Sequence, residues 1–210
     1  MDIGRRLANV RWRPVLVALI GAMAGSTIHG SRGRAAGPAP QSPPRTVSDG
    51  AELIGSTAPE WDVRDWIGSP PIHLASLRGK VVLVRWFTSP DCPYCHATAP
   101  ALNRFHHEYA RRGLAVVGMY HHKSDDPLAL DAVRGWVREY GFQFPVGVDR
   151  DWQTLRRWWL DGHHRRDFTS VTFLLDRHGV IRQIHPGGTL ALDTPDFRSM
   201  QAKIEQLLAE

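Results

Sequence analysis

The chain has 210 residues, of which 42% are hydrophobic and 22% are charged, and this composition predicts a folded domain with a buried core rather than a disordered chain. The net charge of +5 comes from residues 1–34, since twenty of the 26 basic and twenty of the 21 acidic side chains lie in the remainder. The neutral remainder argues against nucleic acid as a partner.

The N-terminal region has the pattern of an export segment. The apolar stretch "VLVALIGAMAG", residues 15–25, follows several arginines; it is short for a membrane span and has the length of a signal-peptide core. We expect residues 1–30 to be a signal peptide or an N-terminal membrane anchor, which predicts an extracytoplasmic location, in the periplasm or on the outer face of the cytoplasmic membrane. Residues 31–54 are rich in Pro, Gly and Ala and predict a flexible linker, followed by one folded domain over residues 55–210.

Strands and helices are predicted to alternate along this domain. Trp61 and Trp66 suggest an N-terminal β extension, formed as an edge hairpin. The nearly continuous apolar run "KVVLVRWF", residues 80–87, is typical of a central strand covered on both faces. An amphipathic helix then ends at Gly113, and "LAVVGMY", residues 114–120, is a second buried strand.

The alternation continues to the end of the chain. A helix is expected to begin near Asp125 or Asp126 and to end at Gly141. The later elements are a short strand in "FPVGVD", a short helix closed by Gly162, a hairpin of "SVTFLLD" and "VIRQIHP", and a helix over about residues 195–209. Crossover helices between strands imply a parallel core with an antiparallel hairpin at one side. This is a thioredoxin-like arrangement, an α/β fold with a central mixed sheet flanked by helices. The alternation alone would also permit other small α/β sandwiches, and the cysteines decide between them.

The only two cysteines, Cys92 and Cys95, stand in "CPYC" between the first buried strand and the helix after it. A helix N-terminus offers unpaired N–H groups and partial positive charge, which stabilise a thiolate. Cys92 is the predicted nucleophile that attacks a partner disulfide, and Cys95 is the thiol that resolves the mixed disulfide. A purely structural bridge is the alternative, but closing so short a loop restrains the unfolded chain little.

Residues from about 55 to 188 resemble the thioredoxin-like thiol-disulfide oxidoreductases of the TlpA and ResA type. The matching segments are "GSTAPEW", "HLASLRGKVVLVRWF", "CPYC", the proline at Pro100, "GLAVVGMY" and "TFLLDRHGVIR". The resemblance implies dithiol-disulfide exchange outside the cytoplasm through Cys92 and Cys95, with protein thiols or disulfides as partners. Because the chain holds no second CxxC, a membrane-linked electron donor or acceptor is also expected. No cofactor is expected.

The chain departs from the family pattern at three positions. Asp91 stands directly before the first cysteine, where the family usually has Trp. Trp86 stands six positions before that cysteine, where the family tends to have a polar or acidic residue, so no buried acid is expected from that position. Val171 replaces the family's cis-proline, and the Ser170–Val171 peptide bond is expected to be trans, because a non-proline cis bond costs about 3 kcal/mol.

Three residues are predicted to contact the substrate: Pro93 and Tyr94, which lie between the cysteines, and Val171, at the cis-proline position. Two other functions stay open. A Sco-like copper carrier would use both cysteines with His121 or His122, since thiolates and imidazole suit copper. A peroxiredoxin-like thiol peroxidase is the second, although the spacing of Thr88, four positions before Cys92, does not support it.

Overall fold

The computed structural model describes residues 46–162 and 164–210. The predicted signal peptide or anchor, residues 1–30, and most of the predicted linker lie outside the described residues. Within the described part of the chain, no helix has the length and apolar character needed to cross a bilayer.

Six strands form one mixed sheet, and two short strands form a separate ribbon. The strands are β1 (Thr46–Val47), β2 (Asp65–Ile67), β3 (Val81–Phe87), β4 (Leu114–His121), β5 (Val146–Asp149), β6 (His164–Arg165), β7 (Thr172–Leu175) and β8 (Ile181–His185). The sheet order is β2-β5-β4-β3-β7-β8. Strands β3, β4 and β5 are parallel, whereas β2, β7 and β8 run antiparallel to their neighbours. The predicted mixed sheet is confirmed.

Helices cover both faces of this sheet. They are α1 (Pro93–Tyr109), α2 (Leu130–Glu139), α3 (Gln153–Leu155), which continues into a π-helical turn at Arg156–Leu160, and α4 (Pro195–Ala209). Helices α1, α2 and α4 pack into the core on one face. The segment of α3 and the π-helical turn packs on the other face, together with the chain before β3. The thioredoxin-like arrangement predicted from the alternation is therefore present.

Strand β3 lies in the middle of the sheet because its sequence suits burial on both faces. All seven of its residues are buried. Val81, Leu83 and Phe87 belong to the core under α1, whereas Val84 and Trp86 belong to the opposite core. Each large apolar side chain buried in this way contributes about 1.5–3 kcal/mol, so β3 is the element to which both cores are anchored.

The N-terminal β extension is present, but it is not a hairpin. Trp66 lies in β2, which pairs antiparallel with β5 at the edge of the sheet. Trp61 lies outside any strand; its indole N–H donates to the Ile72 carbonyl at 2.7 Å, and its ring stacks on Trp158 at 6.3 Å. The expected pairing of two tryptophan strands was wrong because Trp61 fills the core instead.

The folded domain begins before residue 55. Glu52 pairs with Arg166, and Leu53 packs against the core beneath α3. The Gly55 amide then donates to the Ile181 carbonyl at 2.8 Å. The last part of the predicted linker is therefore packed on the domain, and the boundary lies earlier than the composition indicated.

Candidate active site

Cys92 and Cys95 form a disulfide at the start of α1, with their Cα atoms 5.3 Å apart. Cys92 is the N-cap residue and Pro93 occupies the first turn, a position where its fixed φ and missing N–H are compatible with a helix. The Cys92 sulfur accepts a hydrogen bond from the Cys95 amide at 3.2 Å. Because Cys92 is half-buried and Cys95 is only 3% exposed, Cys92 presents the sulfur that a partner can reach.

The loop that leads into Cys92 is held by α2. The Tyr140 hydroxyl, at the end of that helix, donates to the Ser89 carbonyl at 3.0 Å. The same carbonyl accepts from the Cys92 amide at 3.1 Å. Burial raises the pKa of Tyr140, so its hydroxyl keeps the proton that it donates. These contacts fix the N-cap sulfur relative to the sheet.

A small cavity of about 130 Å³ lies beside the Cys92 sulfur. Its walls come from the start of α1, the end of β4 and the loop before β7: Thr88, Cys92, Tyr94, His121, Lys123, Asp167, Phe168, Thr169 and Ser170. Of the residues predicted from the sequence, the cavity brings together Cys92, Tyr94 and His121. It does not include Pro93 or Val171.

An exposed aromatic pair borders this cavity. Tyr94 is 43% exposed and Phe168 is 37% exposed, and their rings meet edge to face at 5.5 Å. Tyr94, which is predicted to contact the substrate, is therefore accessible from solvent. Phe168 escaped sequence reasoning because it is a lone aromatic residue in a polar loop, and only the fold places it beside the cysteines.

Val171 does not present its side chain to a partner. The side chain is fully buried in the core beneath α3, and its carbonyl accepts from the Trp86 amide at 3.0 Å. The described residues contain no cis peptide bond, so the Ser170–Val171 bond is trans, as expected. Two positions earlier in the chain, Thr169 is half-buried and lines the cavity beside Cys92.

His121 and His122 occupy different environments. His121 is fully buried, and its Nε2 hydrogen-bonds with the Thr169 hydroxyl at 2.9 Å. His122 donates from Nε2 to the Asp126 carbonyl at 2.7 Å and contacts the Tyr120 hydroxyl through Nδ1 at 2.9 Å, so both of its nitrogens are occupied. In residues 46–162 and 164–210, no group of three or more His, Cys, Asp or Glu side chains is arranged to hold a metal ion. The copper alternative gains no support there.

Burial of His121 is expected to make the protein sensitive to acid. Burial lowers the pKa of His121 to about 3 from its ordinary 6.5, so the unfolded chain binds a proton that the folded chain excludes between these values. The free energy of unfolding should therefore fall as the pH drops from about 6.5 towards 3, by about 1.4 kcal/mol per pKa unit of difference. Urea unfolding at several pH values should give a shallower dependence for His121→Gln than for the native chain. The exposed His107→Gln serves as control, and equal slopes in all three proteins would contradict the interpretation.

Arg85 is a buried charge that the sequence analysis overlooked. Arg85 is 1% exposed and lies next to Trp86 on β3. The two side chains lie on opposite faces of the sheet: Arg85 is hydrogen-bonded to Thr98 on α1, whereas Trp86 packs in the opposite core. No buried acid was expected at position 86, where Trp86 stands. The charged side chain of this strand is the positively charged Arg85, on the face that packs against α1. The signal available in the sequence was one arginine inside the run "VVLVRWF".

A buried acid does lie near Trp86, although it comes from β5. The Asp149 carboxylate accepts from the Trp86 indole at 3.3 Å and from the backbone amides of Thr154 and Leu155 at 3.1 and 2.7 Å. Burial raises its pKa. Asp149 therefore anchors the start of α3 to the sheet, and it does not line the cavity beside Cys92.

Comparison with known proteins agrees with this geometry. Protein DipZ of Mycobacterium bovis is 30% identical over 171 residues, which cover 77% of this chain and 22% of DipZ. The thiol-disulfide oxidoreductase ResA of Bacillus thuringiensis is 29% identical over 132 residues, covering 62% of this chain and 69% of ResA. The crystal structure of a thiol-disulfide isomerase from Corynebacterium glutamicum superposes with a TM-score of 0.58 at 27% identity, over 73% of this chain and 97% of that one.

The chain thus spans about a fifth of the length of DipZ. The model of the AhpC/TSA family matches residues 54–184, which include Cys92 and Cys95. The chain therefore belongs to the AhpC/TSA family.

Proposed function

We propose that this protein is a thiol-disulfide oxidoreductase that exchanges disulfides with protein partners through Cys92 and Cys95. The observation that carries the proposal is the asymmetry of the pair: the Cys92 sulfur is accessible and accepts a helix amide, whereas Cys95 lies buried behind it. The same amide strengthens its hydrogen bond when the sulfur becomes a thiolate. The names of ResA and the structural neighbour support this activity.

The chemistry follows from the two positions. In the reduced protein the Cys92 thiolate attacks one sulfur of a partner disulfide, the partner's S–S bond breaks, and the departing sulfur leaves as a thiolate that takes a proton from water. Cys95 then loses its proton and attacks the Cys92 sulfur, which releases the second partner thiol. Two electrons pass to the partner, and the chain ends in the disulfide form found in the structure. The reverse sequence oxidises a partner dithiol.

The cellular setting is also a proposal. The predicted export segment supports an extracytoplasmic site of action, with a membrane tether if the segment is uncleaved. Each catalytic cycle leaves Cys92 and Cys95 in the redox state opposite to the one that began it, so an electron donor or acceptor must restore the pair. We propose that this electron donor or acceptor is linked to the membrane.

The direct test is turnover with a protein substrate. Purified protein should accelerate the reduction of insulin disulfides by a small dithiol, or the oxidative refolding of a reduced, disulfide-containing protein. Hydrogen peroxide consumption and Cu(I) titration, run on the same sample, measure the two other functions. Protein disulfide turnover indistinguishable from the uncatalysed rate would remove the proposal.

We expect Tyr94 and Phe168 to contribute to binding of the protein substrate. Removing either exposed ring by substitution with alanine should raise KM for a protein disulfide about fivefold to tenfold, equivalent to roughly 1 kcal/mol, with little change in kcat. Exchange with glutathione disulfide should change much less. Ile54→Ala, which removes a side chain 45% exposed in a different surface depression, is the matched control. An equal effect of all three substitutions would contradict this role.

A further inference from the structure

We propose that Arg85 is a fixed positive charge beneath α1 that stabilises the thiolate form of the reduced cysteine pair and so makes its disulfide a stronger oxidant. The inference rests on the proposed function, because it concerns the redox equilibrium of the same pair. In this role Arg85 is a positioning residue that acts on the cysteines through the electrostatic field.

Arg85 is buried, and no carboxylate among the described residues forms an ion pair with it. Its guanidinium donates to the Thr172 hydroxyl at 3.0 Å, the Gly188 carbonyl at 2.9 Å and the Thr98 hydroxyl at 3.5 Å. All three acceptors are neutral, and the Nε atom has no hydrogen-bond partner among the described residues. Burial lowers the pKa of Arg85 to about 9, which leaves it charged at neutral pH. An uncompensated buried charge is unfavourable, so a negative charge formed nearby would be stabilised.

The cysteine pair is where such a charge forms. Thr98, which Arg85 contacts, lies one helical turn after Cys95 on α1, and residues three apart on a helix share a face with Cβ atoms about 5–6 Å apart. Both residues are buried, at 1% and 3% exposure. The guanidinium therefore contacts α1 one helical turn after Cys95, on the sheet side of the helix.

Solvent is kept away from this charge. The loop after β8 covers it: the Gly188 carbonyl accepts from Arg85, and the Leu190 amide donates to the Thr98 hydroxyl at 3.0 Å. Charges interact more strongly across such a dry interior than across water. The electrostatic field of the solvent-exposed charges around the cysteine pair is screened by salt within about 10 Å.

The other titratable and charged groups around the pair are of two kinds. Those at the surface are Asp91 and Asp167, which are exposed, the pair His96–Glu139, with about half of each side chain exposed, and Lys123, which lines the cavity beside Cys92. Those in the interior are His121 and His185, and burial lowers the pKa of both imidazoles; His185 also lies 3.5 Å from Asp196. Arg85 is thus the permanent charge on the inner side of the pair.

A stabilised thiolate changes the proton balance of reduction. The disulfide then takes up two electrons and one proton, giving one thiolate and one thiol, instead of two electrons and two protons. When glutathione is the reductant, two glutathione thiols become glutathione disulfide and one proton is released. The equilibrium constant for reduction should therefore increase tenfold per pH unit above the pKa of the folded thiol, until glutathione itself ionises.

The test measures this equilibrium constant between pH 5 and pH 8 by acid trapping, for the native chain and four variants. Arg85→Met removes the charge, and Arg85→Lys retains it. Thr172→Val removes one hydrogen bond to Arg85 and leaves the charge. Arg104→Met removes a charge from the exposed side of α1, where Arg104 pairs with Glu108 at 2.8 Å.

We expect Arg85→Met to lower the equilibrium constant for reduction at least about tenfold at pH 7, which corresponds to roughly 30 mV. At pH 5 the constant of this variant should approach that of the native chain. Arg85→Lys, Thr172→Val and Arg104→Met should keep the native dependence on pH. An equilibrium constant for Arg85→Met equal to that of the native chain at pH 7 would overturn the inference. If Arg85→Met does not fold, either of two results would overturn the inference. One is an equilibrium constant of the native chain that does not change with pH, and the other is a tenfold lower constant in Thr172→Val. A native chain that equilibrates with glutathione but catalyses no protein exchange would refute the proposed function alone.

Discussion

Substitution of Cys92 by serine is expected to abolish disulfide exchange, with a loss of turnover of at least about 10³-fold. Serine at the N-cap still accepts the Cys95 amide, so the start of α1 should be preserved while the sulfur nucleophile is removed. Turnover is measured with a protein disulfide under the conditions used for the native chain. Residual turnover above a tenth of the native rate would show that Cys92 is not the attacking sulfur.

Cys95→Ser separates the two sulfur roles. Cys92 remains free to attack, but no second thiol is available to release the partner, so a mixed disulfide with the substrate should accumulate on a non-reducing gel. Cys92→Ser should form much less of this adduct, because Cys95 is buried. The opposite pattern would exchange the roles of the two residues.

Substitution of Asp149 by alanine is expected to destabilise the fold by about 3 kcal/mol or more. The change leaves three buried donors without their acceptor: the Trp86 indole and the amides of Thr154 and Leu155. Each unsatisfied buried donor costs about 1–3 kcal/mol. Urea unfolding of the oxidised protein measures the difference, with an unchanged m-value as a check of two-state behaviour.

Asp149→Asn is the matched control, because it retains one carbonyl oxygen in a side chain of the same shape. We expect it to lose less than half as much stability as Asp149→Ala. Since Asp149 does not line the cavity beside Cys92, turnover per folded molecule should change little in either variant. A loss below about 1 kcal/mol in Asp149→Ala would show that water or backbone movement replaces the carboxylate.

The parts of the fold that could be predicted are those with strong local signals. The run from Val81 to Phe87 is apolar at every position but one, so its burial on both faces follows from the sequence. The N-cap role of Cys92 follows from Pro93 and the amphipathic pattern after it. Helix α4 begins at Pro195 and ends at Ala209, as its sequence indicates, because a Thr-Pro start is a reliable helix signal.

Local signals failed where side chains made other contacts. Helix α2 was expected to begin at Asp125 or Asp126, but it begins at Leu130. The Asp126 carboxylate accepts from the Ser124 hydroxyl, and its backbone carbonyl accepts from His122. Asp and Ser form such local hydrogen bonds in loops as readily as at helix caps, so the cap residues hold a loop here.

The remaining site residues depend on contacts between distant parts of the chain. Phe168 reaches Tyr94 and Asp149 reaches Trp86 across long sequence separations, which no local periodicity encodes. Arg85 was visible as an odd charge within an apolar strand, but the face on which it lies depends on the pairing of β3 with its neighbours. The cysteine motif locates the chemistry, whereas its surroundings require the structure.

The most direct test of the account is the pKa of the Cys92 thiol in the reduced protein. It is obtained from the rate of alkylation with iodoacetamide as a function of pH, with the modified cysteine identified by mass spectrometry. We predict that Cys92 reacts first, with a pKa well below the value of about 8.5 for a free cysteine. Titration of Cys92 at the free-cysteine value, or faster alkylation of Cys95, would contradict the account.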